Sequence, residues 1–263
     1  MFKRLRKQAV RQRSEGLETR PDGRARSVPP GRRVYAIGDI HGRSDLLDRL
    51  HEMIREDARK AEEAKRTIVY LGDLVDRGMD SRGVVEQLLD GPPDGFDAVY
   101  VLGNHEAAML DFLEDSSIGP HWMVNGGDMT LYSYGVAVPR SANAGSPEFV
   151  EARKSLIEKL PAEHLRFLKS MVLAHEVGDY LFVHAGIRPG VPMAEQDPQD
   201  LLWIREPFLS STADLGQVVV HGHTISTEVE ERSNRIGIDT GAYHSGRLTS
   251  LVLSGAGRRY LQT

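Results

Sequence analysis

Five short segments of the chain set carboxylate, amide and imidazole side chains beside glycine. They are Gly38-Asp39-Ile40-His41-Gly42, Gly72-Asp73-Leu74-Val75-Asp76-Arg77-Gly78, Gly103-Asn104-His105-Glu106, Val183-His184-Ala185-Gly186 and His221-Gly222-His223-Thr224. Asp39 and His41 stand two apart, so on an extended segment both side chains face one point. Oxygen and imidazole donors together suit a hard-to-borderline divalent ion such as Mn, Fe or Zn. The flanking glycines let the backbone turn sharply and approach closely. Asp39, Asp73, Asn104, His41, His184 and His223 make six donors, more than one catalytic ion with open positions needs. They fit two ions with one carboxylate bridging. Any one Asp after a strand is ordinarily a turn former or helix cap. Five such sites in order are not an ordinary structural outcome. His51, His121, His164 and His175 lack glycine neighbours of this kind and read as surface or core histidines.

The elements that must carry these segments follow from the spacing. Asp39 to Asp73 is 34 residues and Asp73 to Asn104 is 31, each near the roughly 30 residues of a βαβ unit. A β-rich run over 33–38 precedes Asp39. Leu46, Leu47, Leu50, Met53 and Ile54 then recur at helical spacing. Strands are expected at 67–71 and 97–102, with helices at 81–90 and 105–115. Residues so spaced arrive side by side at the carboxyl edge of one sheet, where open α/β folds place ligands. Residues 116–146 read as an irregular or partly helical cap region, and the segment 112–146 is expected from its position to shape substrate access. Residues 147–170 read as helical. Further strands are expected at 171–176, 180–184, 217–221, 235–239 and 247–253. Little helix lies between these, so a more antiparallel second sheet is expected. The fold class is α/β, with two packed mixed β-sheets flanked by helices.

Composition excludes other classes. Hydrophobic residues make up 40% and charged residues 27% of the 263, too apolar for a disordered chain and too mixed for a polyelectrolyte. There is no cysteine, which removes disulfide scaffolds, thiol nucleophiles and thiolate-bound zinc or iron–sulfur sites. No apolar run reaches the 18 or so residues of a membrane span. The net charge of -5 is unevenly spread. Residues 1–33 hold eleven basic and three acidic side chains, a net +8, which leaves -13 for the rest. No apolar run follows the basic start, so secretion by this segment is not expected and a cytoplasmic enzyme is. We read residues 1–32 as a basic, solvated tail and 33–263 as the catalytic domain. A docking arm for an anionic partner is the sharper reading of that tail. A body at -13 repels polyanions, so no nucleic-acid partner is expected.

The ordered set GDIHG, GDLVDRG, GNHE, VHAG and HGHT resembles the phosphoprotein phosphatase family of binuclear metallophosphoesterases, in its bacterial branch. GDLVDRG, with Asp76 and Arg77, is the most specific of these segments. Residues 201–205 (LLWIR), 238–241 (IDTG) and 122–135 are also similar to that branch. The resemblance implies a calcineurin-like fold and two divalent metal ions, Mn²⁺ first and Fe or Zn next. It implies that Asp39 and His41 hold the first ion, that Asp73 bridges, and that Asn104, His184 and His223 hold the second. It assigns His105 as general acid oriented by Asp76, and Arg77 and Arg205 to phosphate oxygens. His221 is implied to be structural, with a swap with His223 left open. The activity implied is phosphomonoester hydrolysis on a phosphoprotein or phosphopeptide, by direct attack of a hydroxide shared by the ions.

These roles are physically reasonable. Phosphoryl transfer needs charge neutralised on three oxygens and the attacking and leaving oxygens aligned. An arginine fork suits phosphate better than a lysine. The nearest rival is a diadenosine tetraphosphate hydrolase, a related branch in which alanine tends to replace Asp76 and GNHD replaces GNHE. The rival from another class is a catalytically silent binding module, against which every ligand and acid position is filled.

Overall fold

The computed structural model describes residues 23–263, apart from 62, 64 and 142. The first sheet holds β1 (Arg32–Ile37), β2 (Lys65–Tyr70), β3 (Asp97–Tyr100), β9 (Thr249–Ser254) and β10 (Gly257–Gln262). The second holds β4 (Ala174–Val177), β5 (Tyr180–Val183), β6 (Val218–His221), β7 (Glu230–Glu231) and β8 (Arg235–Gly237). Strand orders are β10-β9-β1-β2-β3 and β4-β5-β6-β8-β7. Both sheets are mixed. β1, β2 and β3 run parallel, while β9 pairs antiparallel with β1 and β10.

Period-two alternation places the core in three layers. Val34 and Ala36 of β1 face Phe182 of β5 and Val220 of β6 between the sheets. Tyr35 and Ile37 face the other way, onto the helices. On the far side of the second sheet Leu181, Val183 and Val219 meet Leu201 and Phe208. The helices packed on the first sheet include α1 (Ser44–Ala58), α2 (Ser81–Leu89) and α3 (Asn104–Glu114). Two short helices follow, α4 (Gly119–Val124) and α5 (Gly127–Ser133), so the cap segment is partly helical, as expected, and irregular over the described residues from 134 to 146. Then come α6 (Pro147–Lys159), α7 (Ala162–Ser170), α8 (Pro198–Trp203) and α9 (Ala242–Ser245).

Four expectations change. The helical stretch 147–170 is two helices, because Pro161 lacks an N–H and forces Leu160 out of the helical region (ψ 116). The second sheet is as parallel as it is antiparallel: β5–β6 and β6–β8 are parallel pairs. The strand expected at 247–253 joins the first sheet beside β1. β7 and β10 were not anticipated, and the turn at Gly255 (φ 54) is what folds β10 back onto β9.

Packing also begins before residue 33. Val28 is buried between the sheets, Arg26 pairs with Asp214 at 2.8 Å, and the Ser27 N–H donates to Asp179 at 2.8 Å. The tail reading of residues 1–22 lies outside the described residues. No helix among the described residues is long and apolar enough to cross a membrane.

Candidate active site

The predicted segments meet at the carboxyl ends of β1, β2, β3, β5 and β6, so both sheets contribute. Asp39 and His41 follow β1, and Asp73, Asp76 and Arg77 follow β2. Asn104 and His105 open α3 after β3. His184 follows β5 and His223 follows β6. Among the described residues, two sets of three donors lie close enough to hold an ion: His41, Asp73 and His105, and Asp73, His184 and His223. Asp73 belongs to both. Its Oδ2 lies 3.5 Å from His41 Nε2, and its Oδ1 lies 3.4 Å from His184 Nε2. Asn104 Oδ1 stands 2.8 Å from both His184 Nε2 and His223 Nδ1.

Backbone strain concentrates here. Among the described residues, the non-glycine positions with positive φ are His41 (46), Asp73 (50), Asp76 (70), Arg77 (65) and His223 (60). Each left-handed L-residue costs of the order of 1–2 kcal/mol. Such conformations persist where surrounding contacts over-determine them, and they gather at functional sites. At Asp73 the compensating group is Glu106. Its buried carboxylate accepts four backbone N–H groups, from Asp73 (2.9 Å), Leu74 (2.7 Å), Val75 (3.1 Å) and Gly103 (3.0 Å). Burial, then Asp73, pushes Glu106 up to about 7, while these N–H groups pull it back.

The imidazoles divide by what their Nδ1 touches. His41 Nδ1–H donates to the Val75 carbonyl at 2.8 Å, and His184 Nδ1–H to the Leu71 carbonyl at 2.7 Å. A carbonyl partner fixes the neutral tautomer and leaves the Nε2 lone pair as an acceptor or ligand. Burial pushes His41 and His223 down to about 3 and lowers His184 as well. Neutral imidazoles are what a metal requires. His105 differs, because its Nδ1 meets the Asp76 carboxylate at 2.7 Å. Burial alone would lower it, yet Asp73 and Asp76 outweigh burial and its pKa is raised.

Asp76 is fully buried and receives three side-chain donors. Oδ2 accepts His105 Nδ1–H and Trp122 Nε1–H (2.8 Å), and Oδ1 accepts the Thr130 hydroxyl (2.6 Å). Trp122 and Thr130 come from α4 and α5. Burial raises Asp76, and these donors oppose the rise. Asp73 would be raised by burial too, but His184, His105 and His41 overcome it and hold the carboxyl low.

Asp39 is not in the first cluster. Its oxygens accept the His223 N–H at 3.1 and 3.2 Å, and it faces Asp239. Burial and that neighbour raise Asp39 strongly, and burial raises Asp239 to about 6. Asp239 Oδ2 and His223 Nε2 are buried without a partner among the described residues. Facing carboxylates, bare imidazole nitrogens and a shared aspartate form a donor set that divalent ions fit. His221 stands apart: its ring packs on Phe208 and it belongs to neither donor set, whereas His223 sits with Asp73 and His184.

Arg77 Nη1 donates to His41 Nε2 at 2.9 Å, and its guanidinium lies 5.1 Å over the Tyr243 ring. It lines a cavity of about 510 Å³ together with Val124, Asn125, Gly126, Asp128, Met129, Ile225 and Tyr243. Arg205 is exposed and outside that lining, yet near enough to His223 to lower its pKa. Sequence reading assigned no role to Glu106, Trp122, Thr130, Asp239 or Tyr243. Trp122 and the IDTG segment were visible as features. Nothing local to Thr130 or Tyr243 distinguishes them.

Residues 32–246 match the calcineurin-like phosphoesterase family. The chain is 30% identical to serine/threonine-protein phosphatase 1 of Salmonella typhimurium LT2 over 224 residues, 83% of this chain and 90% of that protein. It is 26% identical to the asymmetrical bis(5'-nucleosyl)-tetraphosphatase PrpE of Bacillus thuringiensis Al Hakam, covering 82% of this chain and 88% of that one. A solved structure provisionally titled a diadenosine tetraphosphatase superposes with a TM-score of 0.62 at 23% identity, over 90% of this chain and 96% of that chain. That likeness shows the fold, in agreement with the two packed mixed sheets. The chain therefore belongs to the calcineurin-like phosphoesterases, as a phosphoester hydrolase of the phosphoprotein phosphatase type.

Proposed function

We propose that this protein is a binuclear, Mn²⁺-dependent phosphomonoesterase that acts on phosphoserine and phosphothreonine in proteins or peptides. The contrast among the buried imidazoles carries this reading. Three of them, His41, His184 and His223, are kept neutral, and one, His105, is kept protonatable by a carboxylate. Neutral rings suit metal ligation, and a protonated ring suits donation to a leaving oxygen. Asp39, His41 and Asp73 would hold one ion, and Asp73, Asn104, His184 and His223 the other. Such ions neutralise phosphate oxygens and acidify a water. Arg77 and Arg205 bind phosphate oxygens with a planar fork. His105 passes its Nε2 proton to the departing alkoxide, and Asp76 holds the ring and its charge.

The cavity beside Arg77 supports a monoester over a dinucleoside polyphosphate. Arg77 is the cation of its lining, Asp128 is an acid of it, and Val124, Met129 and Ile225 are apolar. A polyphosphate extending from the site would meet one positive charge and one negative. A peptide beside its phosphorylated residue meets apolar walls and an acid that suits a basic neighbour.

The test compares kcat/KM for a phosphoserine peptide and for diadenosine tetraphosphate with Mn²⁺, in the parent and in Asp128→Lys. The peptide is expected to be favoured at least tenfold in the parent, a margin of about 1.4 kcal/mol, with the margin narrowed by Asp128→Lys. Equal or better turnover of the dinucleotide by the parent would sink the protein phosphatase reading and leave the tetraphosphatase one.

A further inference from the structure

We infer that Trp122 and Thr130 are positioning residues for the general acid, acting through Asp76. The inference rests on the reading of His105 as proton donor. It gives α4 and α5 a part in the chemistry as well as in substrate access.

Thr130 Oγ1 lies 2.6 Å from Asp76 Oδ1, 2.9 Å from Ser81 Oγ and 2.9 Å from the Asp76 backbone nitrogen. A hydroxyl has one proton to give. The shortest contact is to a carboxylate, so the Thr130 proton goes to Asp76 and Ser81 donates to Thr130. The Asp76 N–H donates to both hydroxyl oxygens, at 2.9 Å to Thr130 and 3.0 Å to Ser81. Thr130 thus pins both the left-handed backbone of Asp76 and its carboxylate. Trp122 Nε1–H fills the remaining direction on Oδ2, the oxygen that also holds His105. With a donor on each oxygen the carboxylate cannot rotate about its Cβ–Cγ bond without breaking one. The imidazole therefore keeps a single orientation.

The neighbouring glycines are shaped for this arrangement. A Cβ at Gly127 would lie 2.5 Å from the Trp122 indole, so only glycine leaves room for the ring there. Gly126, at φ 99, offers its carbonyl to the Arg77 N–H at 3.0 Å. Trp122 is fully buried and packs on Phe112 with ring centroids 4.9 Å apart. A general structural role would predict that removing Thr130 or Trp122 slows all substrates alike. A role in aiming the acid predicts something more selective. Proton donation helps most where the leaving oxygen is most basic. Mis-aiming His105 therefore slows poor leaving groups and spares good ones.

The experiment measures kcat for a series of aryl phosphates from p-nitrophenyl to phenyl, and for a phosphoserine peptide. It uses full-length Mn²⁺-loaded protein as parent, Thr130→Val, Thr130→Ser, Trp122→Phe and His105→Asn. Valine matches threonine in shape, so Thr130→Val tests the hydroxyl where Trp122→Phe fails to fold. In Thr130→Val kcat is expected to fall about tenfold on phenyl phosphate and the peptide, a part of the 10²–10⁴ that general acids contribute. On p-nitrophenyl phosphate it should stay within about threefold, and Thr130→Ser should restore the parent slope.

A second readout is independent of turnover: the downfield proton signal of His105 Nδ1–H in metal-free protein, which is expected to shift or broaden in Thr130→Val. An unshifted signal, or a uniform loss across the series, overturns the positioning role while the His105 reading stands. If His105→Asn itself shows no leaving-group dependence, the acid assignment fails first and the inference falls with it.

Discussion

The Glu106 carboxylate accepts the backbone N–H of Asp73 at 2.9 Å and three further N–H groups from the turns that bracket it. One side chain from α3 thus holds the left-handed turn that presents Asp73 to both donor clusters. Glu106→Gln keeps the volume but turns an NH₂ group toward N–H donors. Each buried donor left unpaired costs about 1–3 kcal/mol. A lower melting temperature is expected, with Mn²⁺ affinity weakened by about tenfold or more. Calorimetric titration of Mn²⁺ into the variant checks this, and an affinity within twofold of the parent would refute the clamp.

On the proposed role, His105 is expected to set the alkaline side of the pH profile. Its pKa is raised, so the proton it must donate is present below that pKa and is lost as pH rises through it. For substrates with poor leaving groups kcat should be level below this point and fall above it. His105→Asn should lower kcat by about 100-fold or more and remove that fall. A variant that keeps the same alkaline limb would show that another group carries it.

Gly126 supports the arm of Arg77. A Cβ there would lie 2.7 Å from Arg77 Cγ and 2.8 Å from its backbone nitrogen, and φ of 99 is strained for any L side chain. Gly126→Ala should therefore displace Arg77. We expect KM for a phosphopeptide to rise about tenfold, the cost of one lost charge-assisted contact of about 1.4 kcal/mol. Mn²⁺ affinity should change little. An unchanged KM, with Arg77→Ala raising it, would mean the arginine adjusts around the methyl group.

His51 links folding to pH away from the site. Its Nε2 meets the Tyr70 hydroxyl at 2.8 Å across α1 and β2, and burial pushes it down to about 4. The unfolded ring titrates near 6.5. Between those values the unfolded chain takes up a proton that the folded chain refuses, so stability falls as pH drops. The full effect approaches about 3 kcal/mol by pH 4, at roughly 1.4 kcal/mol per unit. Urea unfolding of metal-free protein should show His51→Gln losing less stability than the parent from pH 6.5 to 4. Parallel pH curves for the two would argue against His51 as the source.

The sequence alone determined which residues supply donors and where along the chain they fall. Asp39, Asp73 and Asn104 follow successive strands because a βαβ repeat has a set length, and the structure sets them at neighbouring carboxyl edges. Periodicity also announced α1 through Leu46, Leu50 and Ile54. Only the tertiary structure decided what each donor does. Trp122 and Thr130 are 46 and 54 residues from Asp76, and no local pattern encodes a contact at that range. The left-handed turns at His41, Asp73, Asp76, Arg77 and His223 are uncommon for any residue but glycine. Glu106 at Asp73, Ser81 and Thr130 at Asp76, the Gly126 carbonyl at Arg77, the Asp73 carbonyl at His41 and the Asp39 carboxylate at His223 accept their backbone N–H groups. His105 and His184 are alike in composition, and both follow a strand. A carboxylate on one ring and a carbonyl on the other separate the proposed proton donor from the proposed metal ligand, and that difference is made by folding.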